Sequence, residues 1–306
     1  PEILLYILEY VNNPSYLANT IQTCSMLASI AKLCPLYKFL NSYHYVTRVA
    51  GGSKSGHRDG DAVTTARFYD VRGLVFDNNG DLIITDNTNN LIRKLCMKTN
   101  QVSTFKATEG KLRYPHGIAV DKWNNIFIAD SANGRIVYLD GQSGELKILH
   151  VCHGKWMRRV AIAPGHVLFT SNKGSNVECI KHPQISDAPS LNWENNVKGL
   201  VTCGVAVDDN ENIYFTRNKN IYKTDKNFVT NFFYELPMHA NSYFSYSKGR
   251  LFFGGGHRLY CLFVDTKDLI KIPLNGVSGT SAAIYHEHAL YFAHNTSCIS
   301  KIDLYF

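Results

Sequence analysis

The amino-acid sequence predicts a mainly β fold, a six-bladed β-propeller, preceded by a short α-helical segment. Three observations support this prediction. A phrase recurs at a spacing of about 42 residues, the repeats contain strands of four to six residues separated by Gly, Asn and Asp, and the first 40 residues follow a helical pattern. A repeat of this length is typical of an array of small sheets, and such an array forms one domain.

Two complete copies of the phrase define the repeat. Each copy predicts a strand, a turn, a second strand, a polar turn and a third strand. The first copy is Gly73-Leu-Val-Phe-Asp77, Gly80-Asp-Leu-Ile-Ile-Thr-Asp86 and Asn89-Asn-Leu-Ile-Arg-Lys-Leu95, and the second is Gly117-Ile-Ala-Val-Asp121, Asn125-Ile-Phe-Ile-Ala-Asp130 and Asn133-Gly-Arg-Ile-Val-Tyr-Leu139. Aspartates in these turns are expected to form side-chain-to-backbone hydrogen bonds; they are Asp77, Asp86, Asp121, Asp130 and Asp208.

Four weaker copies follow in phase, which brings the number of predicted blades to six. Their first strands begin at Arg159, Gly204, Ser242 and Ala282. The sixth blade lacks one strand, and the segment 45–50 before the first blade can supply it. Pairing this strand with the last blade closes the ring and leaves no long open edge. The propeller is therefore predicted to comprise residues 43–306.

Residues 1–42 form the predicted helical segment. Apolar residues in the first eleven positions have the spacing of one face of an amphipathic helix, and a second helix follows Asn12-Asn-Pro14. A segment this small cannot form a robust core by itself. Its apolar surface must therefore be covered by the propeller or by a partner.

The helical segment resembles an F-box. The resemblance rests on Pro1-Glu-Ile-Leu-Leu-Tyr-Ile-Leu-Glu-Tyr-Val11 and on Gln22-Thr-Cys-Ser-Met-Leu27. It implies that the segment docks a Skp1-like subunit of a cullin-type ubiquitin ligase. The residues that would make this contact are Pro1, Ile3, Leu4, Ile7, Leu8 and Leu17. The alternative is a helical cap that packs on the propeller.

The repeat itself resembles the NHL repeat. The similar elements are Val46-Thr-Arg-Val-Ala-Gly-Gly52 and the two complete copies of the phrase. The resemblance implies an NHL-type propeller that serves as a rigid protein-interaction platform. Some NHL propellers bind single-stranded RNA on one face.

A propeller enzyme would carry its active site at the central channel. Enzymes of similar architecture, such as amidating lyases and lactonases, use His or carboxylate ligands there for zinc or calcium. The lyase element Pro-His-x-(Ile/Leu) occurs once, at Pro115-His116-Gly-Ile118, and the equivalent positions of other blades are assigned to Arg72, Arg159 and Cys203. One His cannot supply three zinc ligands, and two arginines repel a cation. The sequence thus predicts no metal, no cofactor and no enzyme.

The loops that enter the first three blades are the most conspicuously basic part of a chain with a net charge of +7. Cations with an interleaved Trp can hold phosphates and stack bases. The same surface could bind an acidic peptide or remain a solvated basic loop. The residues of this predicted client or RNA face are Arg72, Arg113, His116, Lys155, Trp156, Arg158 and Arg159.

The composition predicts the compartment and completes the functional prediction. Eight cysteines without a Cys-x-x-Cys pair predict reduced thiols in the cytoplasm or nucleus. The absence of an apolar run of about 18 residues predicts no membrane-spanning helix. These patterns favour a non-catalytic adaptor, an F-box-like substrate receptor whose propeller recruits an unknown client. The alternative is an RNA-binding propeller, and a propeller hydrolase or lyase ranks third.

Overall fold

The structure is a computed structural model that describes residues 46–163, 165–171, 177–184, 201–225, 229–237, 243–255, 258–272, 274, 277, 279–295 and 297–304. These residues form the predicted six-bladed β-propeller. The F-box-like segment predicted at residues 1–42 lies outside the described residues. Within the described ranges there is no α-helix, and Lys106–Thr108 forms a single 3-10 turn. No helix in these ranges is long and apolar enough to cross a membrane.

The first three blades follow one another along the chain, and their consecutive strands pair in antiparallel fashion from the channel outward. The chain enters through β1 (Thr47–Gly51) and the short edge strand β2 (Gly60–Asp61). Blade 1 comprises β3 (Val71–Phe76), β4 (Leu82–Asp86), β5 (Leu91–Cys96) and β6 (Gln101–Thr104), with β2 on its outer edge. Blade 2 comprises β7 (Pro115–Val120), β8 (Ile126–Asp130), β9 (Arg135–Leu139) and β10 (Leu146–Val151), and blade 3 comprises β11 (Met157–Ala163), β12 (His166–Ser171) and β13 (Glu178–Lys181).

The last three blades repeat this arrangement. Blade 4 comprises β14 (Val201–Val207), β15 (Ile213–Arg217), β16 (Asn220–Thr224) and β17 (Thr230–Glu235). Blade 5 comprises β18 (Tyr243–Ser247), β19 (Arg250–Gly255), β20 (Arg258–Phe263) and β21 (Leu269–Ile272). Blade 6 comprises β22 (Ala282–His286), β23 (Ala289–His294), β24 (Cys298–Asp303) and, on its outer edge, β1.

The N-terminal strand completes the sixth blade. β1 pairs antiparallel with β24, with Thr47 opposite Lys301 and Gly51 opposite Cys298. The Ser297 hydroxyl also donates a 2.7 Å hydrogen bond to the carbonyl of Gly52, and this bond adds to the strand pairing that closes the ring. The pairing strand occupies 47–51, where the sequence pattern predicted 45–50. Strand pairing at the join satisfies backbone groups that an open edge would expose.

The hydrophobic core lies between neighbouring blades. Strands β4, β8 and β15 are buried along their whole length because each is covered on both faces. In one interblade cluster, Ile83 and Ile92 of blade 1 pack with Ile118 and Ile128 of blade 2. Burial of each such side chain contributes about 1.5–3 kcal/mol. The core therefore holds the blades, and with them the loops at the channel, in fixed positions.

The predicted turn function of the aspartates is confirmed. One carboxylate oxygen of Asp77 accepts hydrogen bonds from the backbone N–H groups two and four residues later, both at 2.9 Å. Asp121 and Asp208 make the same pair of bonds at 2.8–2.9 Å. Asp86 and Asp130 instead accept a backbone N–H from the loop that precedes their blade's inner strand, at 2.8 and 2.7 Å. These five carboxylates are structural.

Candidate functional site

The inner strands of the six blades surround a central channel. β3, β7, β11, β14, β18 and β22 each contact the next strand in this series, and β22 contacts β3 to complete the circle. A cavity of about 240 Å³ lies between them and is lined by residues of all six strands. The end of the channel at which the inner strands begin is called the channel mouth below.

Bulges place charged side chains at the channel mouth. In β3, β7 and β11 the strand pairing shifts register near the strand start, so an extra residue is inserted opposite the neighbouring strand. Bulges redirect side chains and are frequent next to active sites. The pairing makes Arg72, His116 and Arg158 equivalent residues of three successive blades.

This register corrects one alignment made from the sequence. The sequence comparison matched Arg159 with His116, but Arg159 lies opposite Thr170 and occupies the position of the repeat glycine. In blades 1 and 2 that position is Gly73 and Gly117. The one-residue error arose because the sequence pattern does not show where a bulge inserts its extra residue.

Two blades replace the repeat glycine with a large polar side chain. The glycines allow close packing at the channel: a Cβ added to Gly117 would lie 2.6 Å from the Cα of Arg159. Blade 3 carries Arg159 at this position, and blade 5 carries Tyr243, which pairs with Gly254. Both side chains line the central cavity. Arg159 and Tyr243 therefore contribute large polar side chains to a channel wall where the other blades have Gly or Ala.

His116 lies within this cluster as a buried neutral imidazole. It is 8% exposed, and its Nε2 lies 3.5 Å from a guanidinium nitrogen of Arg158. Burial holds the pKa of His116 well below its ordinary value, and the charges of Arg159, Arg158 and Arg72 lower it further. These causes have the same sign, because a second positive charge is disfavoured both by desolvation and by neighbouring cations.

The shifted pKa of His116 predicts a pH-dependent stability. The unfolded chain takes up a proton near the ordinary His pKa of 6.5, whereas the folded protein does not. The contribution of His116 is therefore fully present above pH 6.5 and is lost as the pH falls towards the folded pKa, by up to about 1.4 kcal/mol per pH unit. In His116→Asn, the free energy of unfolding should therefore fall less steeply between pH 7 and pH 5, by up to this amount per pH unit, as measured by urea unfolding. Equal slopes would contradict it.

Several buried polar atoms at the same end of the propeller make no hydrogen bond to the described residues. They are His116 Nδ1, Thr170 Oγ1, Tyr243 OH and His294 Nδ1. All four residues stand where an inner strand begins or a second strand ends, which is the channel mouth. A buried polar atom without a partner costs about 1–3 kcal/mol. A ligand with polar atoms could satisfy this set.

Tyr243 adds a proton donor to the mouth. It is 4% exposed, and burial raises the pKa of its phenol well above the ordinary value, although the nearby Arg159 acts in the opposite direction. The hydroxyl therefore stays protonated. Arg159 itself donates a 2.8 Å hydrogen bond to the carbonyl of Arg72, which draws blade 3 towards blade 1 across the mouth.

The rim of the mouth carries an exposed aromatic pair. Tyr114 and Trp156 are 38% and 47% exposed, with ring centroids 6.2 Å apart and planes inclined by 22°. They precede β7 and β11 respectively. Lys155 binds Glu178 at 2.9 Å, which neutralises part of the rim's positive charge. Arg113 is exposed next to Tyr114.

The structure brings together part of the face predicted from the sequence. Arg72, Arg158 and Arg159 lie close enough to influence the charge of His116. Trp156 lies on the rim with Tyr114, which the sequence reasoning did not single out. The polar residues Tyr243, Thr170 and His294 were also missed. Tyr243 could have been found, because it begins an inner strand at the repeat position where other blades have glycine.

The mouth does not fit a divalent metal ion. Among the described residues there is no cluster of three or more His, Cys, Asp or Glu side chains that could hold one. The His116 imidazole lies among guanidinium groups, which repel cations. The donor set suits an anion.

The opposite end of the channel is acidic. A cavity of about 650 Å³ there is lined by residues that include Asp121, Asp208, Asp209, Glu211 and His182. His182 Nε2 lies 2.9 Å from an oxygen of Asp121, and its Nδ1 accepts a backbone N–H at 3.2 Å. His182 is therefore neutral, donates to Asp121, and has a structural function.

Comparison with known proteins supports the repeat and the architecture. The NHL repeat model matches residues 112–137. We found no match among curated proteins. A virginiamycin B lyase from Staphylococcus aureus is 15% identical, with 76% of this chain and 80% of that chain covered and a TM-score of 0.54. A gluconolactonase from Xanthomonas campestris is 13% identical, with 85% and 90% covered and a TM-score of 0.63. A nidogen/laminin complex is 14% identical, with 68% and 83% covered and a TM-score of 0.57.

These comparisons contradict the prediction that the protein is not an enzyme. That prediction rested on the single Pro-His element and on arginines at the equivalent positions of other blades, yet a lyase and a gluconolactonase share this architecture. Identities of 13% and 15% show the fold alone and transfer no catalytic residue. The chain is a β-propeller with an NHL repeat, similar in shape to lyases and gluconolactonases.

Proposed function

We propose that the protein binds an anionic small molecule at the channel mouth and acts there as a hydrolase or lyase. The observation that carries the proposal is the exchange of repeat glycines for Arg159 and Tyr243 beside the buried, neutral His116. The inner strands of the other four blades have Gly or Ala at this level, so the repeat does not generally require a large polar side chain there. The placement of Arg159 and Tyr243 supports a ligand in the channel.

Charge supports the anionic character of the ligand. Arg158 and Arg159 adjoin His116, and Arg72 stands at the equivalent position of the neighbouring blade. Guanidinium groups match carboxylate and phosphate geometry and bind them through two parallel hydrogen bonds. The effect is stronger in a partly buried mouth than in water, since the effective dielectric constant is lower. Asp70 lies 2.9 Å from Arg72 and partly neutralises it, whereas Arg158 lies 3.5 Å from His116 Nε2, so Arg158 is assigned as the principal anion ligand.

The chemistry proposed is acid–base catalysis without a metal. In lactone or ester hydrolysis, water adds to the carbonyl carbon and the C–O bond breaks, with one proton passing from the water to the departing alkoxide. His116 would accept that proton and return it, while Tyr243 and Arg159 donate hydrogen bonds to the oxyanion. A negative charge beside His116 favours its protonated form, which raises its pKa towards the working range of a base.

Two measurements test the proposal. Inorganic phosphate and gluconate are titrated into the full chain at low ionic strength, and acid release from 6-phosphoglucono-δ-lactone, a lactone that carries an anionic group, is followed at pH 7. Arg158→Gln should weaken anion binding by at least about fivefold, because it removes one charge-assisted bidentate contact. His116→Asn should lower kcat/KM for the lactone by at least about 100-fold, the usual contribution of a general base.

Lys271→Gln is the matched control, since it removes the same charge from an exposed position on the outer strand β21. It should leave both measurements unchanged. Equal anion affinity in the Arg158 and Lys271 variants would overturn the mouth as the binding site. Anion binding that depends on Arg158, together with lactone hydrolysis no faster than in buffer, would overturn the hydrolase function and retain the binding function.

The adaptor role is a further proposal on the N-terminal segment. Docking of a Skp1-like subunit would use Pro1, Ile3, Leu4, Ile7, Leu8 and Leu17, all outside the described residues. The propeller would then present a client protein near the ligase. This role is compatible with ligand binding at the channel mouth, because the two use different parts of the chain. Binding of single-stranded RNA along the basic rim remains the alternative use of the same face.

A further inference from the structure

The rim pair Tyr114 and Trp156 is unusually exposed for large aromatic side chains. Both rings keep more than a third of their surface in water, although aromatic side chains are stabilised chiefly by burial. Their planes lie within 22° of parallel and their ring centroids are 6.2 Å apart, so the exposed parts of the two rings form one apolar patch next to the mouth. Two large rings arranged in this way offer a stacking surface for a planar group.

The backbone holds Tyr114 in a strained conformation. Its φ is +50°, in the left-handed region that aromatic residues rarely adopt, and its N–H donates a 2.8 Å hydrogen bond to Asn90 Oδ1. Most other non-glycine residues with positive φ in the described ranges are polar residues such as Asn, Asp, Lys and Glu. Asp70 has the same left-handed conformation, with φ of +62°, at the equivalent position before β3, so the loop of the repeat fixes this backbone geometry. The Tyr114 ring is therefore positioned before any ligand arrives.

The aromatic pair and the anion ligands lie on the same two loops. Tyr114 precedes His116 by two residues, and Trp156 precedes Arg158 by two residues. Two residues of extended chain span about 7 Å. A ligand ring on the rim and an anionic group at the mouth would thus be separated by roughly the length of a small molecule.

We infer that the ligand of the channel mouth carries a planar aromatic ring, which stacks on Tyr114 and Trp156 while its phosphate or carboxylate reaches Arg158 and His116. The inference rests on the proposed function, since it names the substrate class of the same site. The exposed rings of the rim pair give affinity for the planar ring, and the guanidinium groups give the charge complementarity. Size restricts the class, because the cavity behind the mouth measures only about 240 Å³.

The experiment compares 2-naphthyl phosphate with inorganic phosphate as probes, by isothermal titration calorimetry of the full chain. Stacking of one ring on an aromatic platform should make the naphthyl ester bind about tenfold more tightly than phosphate. In Trp156→Leu this ratio should fall to near one, and Trp156→Phe should restore most of it. Trp123→Leu is the control, because Trp123 lies at the opposite, acidic end of the channel; its ratio should stay near ten.

The measurements distinguish failure of the proposed function from failure of the aromatic-ring inference alone. Phosphate binding that is absent, or unaffected by Arg158→Gln, overturns the proposed function and this inference together. Phosphate binding that depends on Arg158, with a naphthyl-to-phosphate ratio near one in the unmodified chain, overturns this inference alone. Oligouridylates that displace both probes with an affinity rising with chain length would assign the rim to single-stranded RNA, which also overturns the small-molecule substrate. Tyr114→Asn, which suits the left-handed backbone of this position, is the second disruptive variant should Trp156→Leu fail to fold.

Discussion

Replacement of Arg93 by Ala is expected to lower the free energy of unfolding by about 3–5 kcal/mol, the usual cost of breaking a buried ion pair. Arg93 is fully buried, and its guanidinium lies 2.7 Å from Asp86 Oδ2 and 2.5 Å from Asp59 Oδ1. It also donates to the backbone carbonyls of Arg58 and Arg67 at 2.7 and 3.2 Å. Removing the side chain leaves the buried carboxylate of Asp86 without its counter-charge.

The second blade offers a matched control. Arg135 contacts Asp130, the equivalent of Asp86, at 2.6 Å from a position two residues earlier in the repeat than Arg93, and the Arg135 side chain is 22% exposed. Water can therefore reach the vacated space in Arg135→Ala, and the expected loss is about 1–2 kcal/mol. Urea unfolding followed by tryptophan fluorescence at pH 7 measures both. A loss for Arg93→Ala no larger than for Arg135→Ala would show that burial does not determine the strength of this network.

Replacement of Gly117 by Ala is expected to cost about 2–3 kcal/mol, at the upper end of the usual range for overpacking. The added Cβ would lie 2.6 Å from Arg159 Cα, 2.7 Å from the Arg158 carbonyl oxygen and 2.9 Å from the Val160 nitrogen. All three are backbone atoms of β11, so no side-chain rotation can relieve the clash. The inner strands of blades 2 and 3 must move apart, and with them the residues at the channel mouth.

Gly52→Ala is the control for the glycine substitution. Its added Cβ would meet only the Arg67 side chain at 3.5 Å, an ordinary contact. The expected change is below about 1 kcal/mol, since surrounding side chains can adapt. Thermal unfolding of both variants distinguishes the cases. If Gly117→Ala unfolds at the temperature of the unmodified chain, then the inner strands are not packed as closely as the structure indicates.

The sequence predicted the architecture well because the repeat itself encodes it. Gly73 and Gly117 recur where inner strands approach, and Asp77, Asp121 and Asp208 recur where turns need a side-chain acceptor. Because every repeat has these local requirements, the residues that satisfy them recur in the sequence at a fixed spacing. The number of blades followed from counting the repeats. The pairing of the N-terminal strand with the sixth blade followed because an open edge would leave backbone N–H and C=O groups unpaired.

The candidate site was predicted less well, because its geometry depends on contacts between distant parts of the chain. The sequence pointed to His116 and its neighbouring arginines as cations on loops, but it misaligned Arg159 by one residue. Burial and the arginine charges decide that His116 is neutral, and neither is visible in a single strand's sequence. Tyr243 and Thr170 joined the site only when the ring brought blades 3 and 5 to the same channel.

The repeat, the turn aspartates and the blade count were determined by the sequence alone, since each depends on residues within about one repeat length. Tertiary structure decided the bulge register, the burial of His116 and the entry of Arg159 and Tyr243 into the channel. These features depend on closure of the ring, which sets strands from different blades at one mouth. That closure turns a series of similar strands into one site, to which blades 3 and 5 contribute Arg159 and Tyr243 where blades 1 and 2 have glycine.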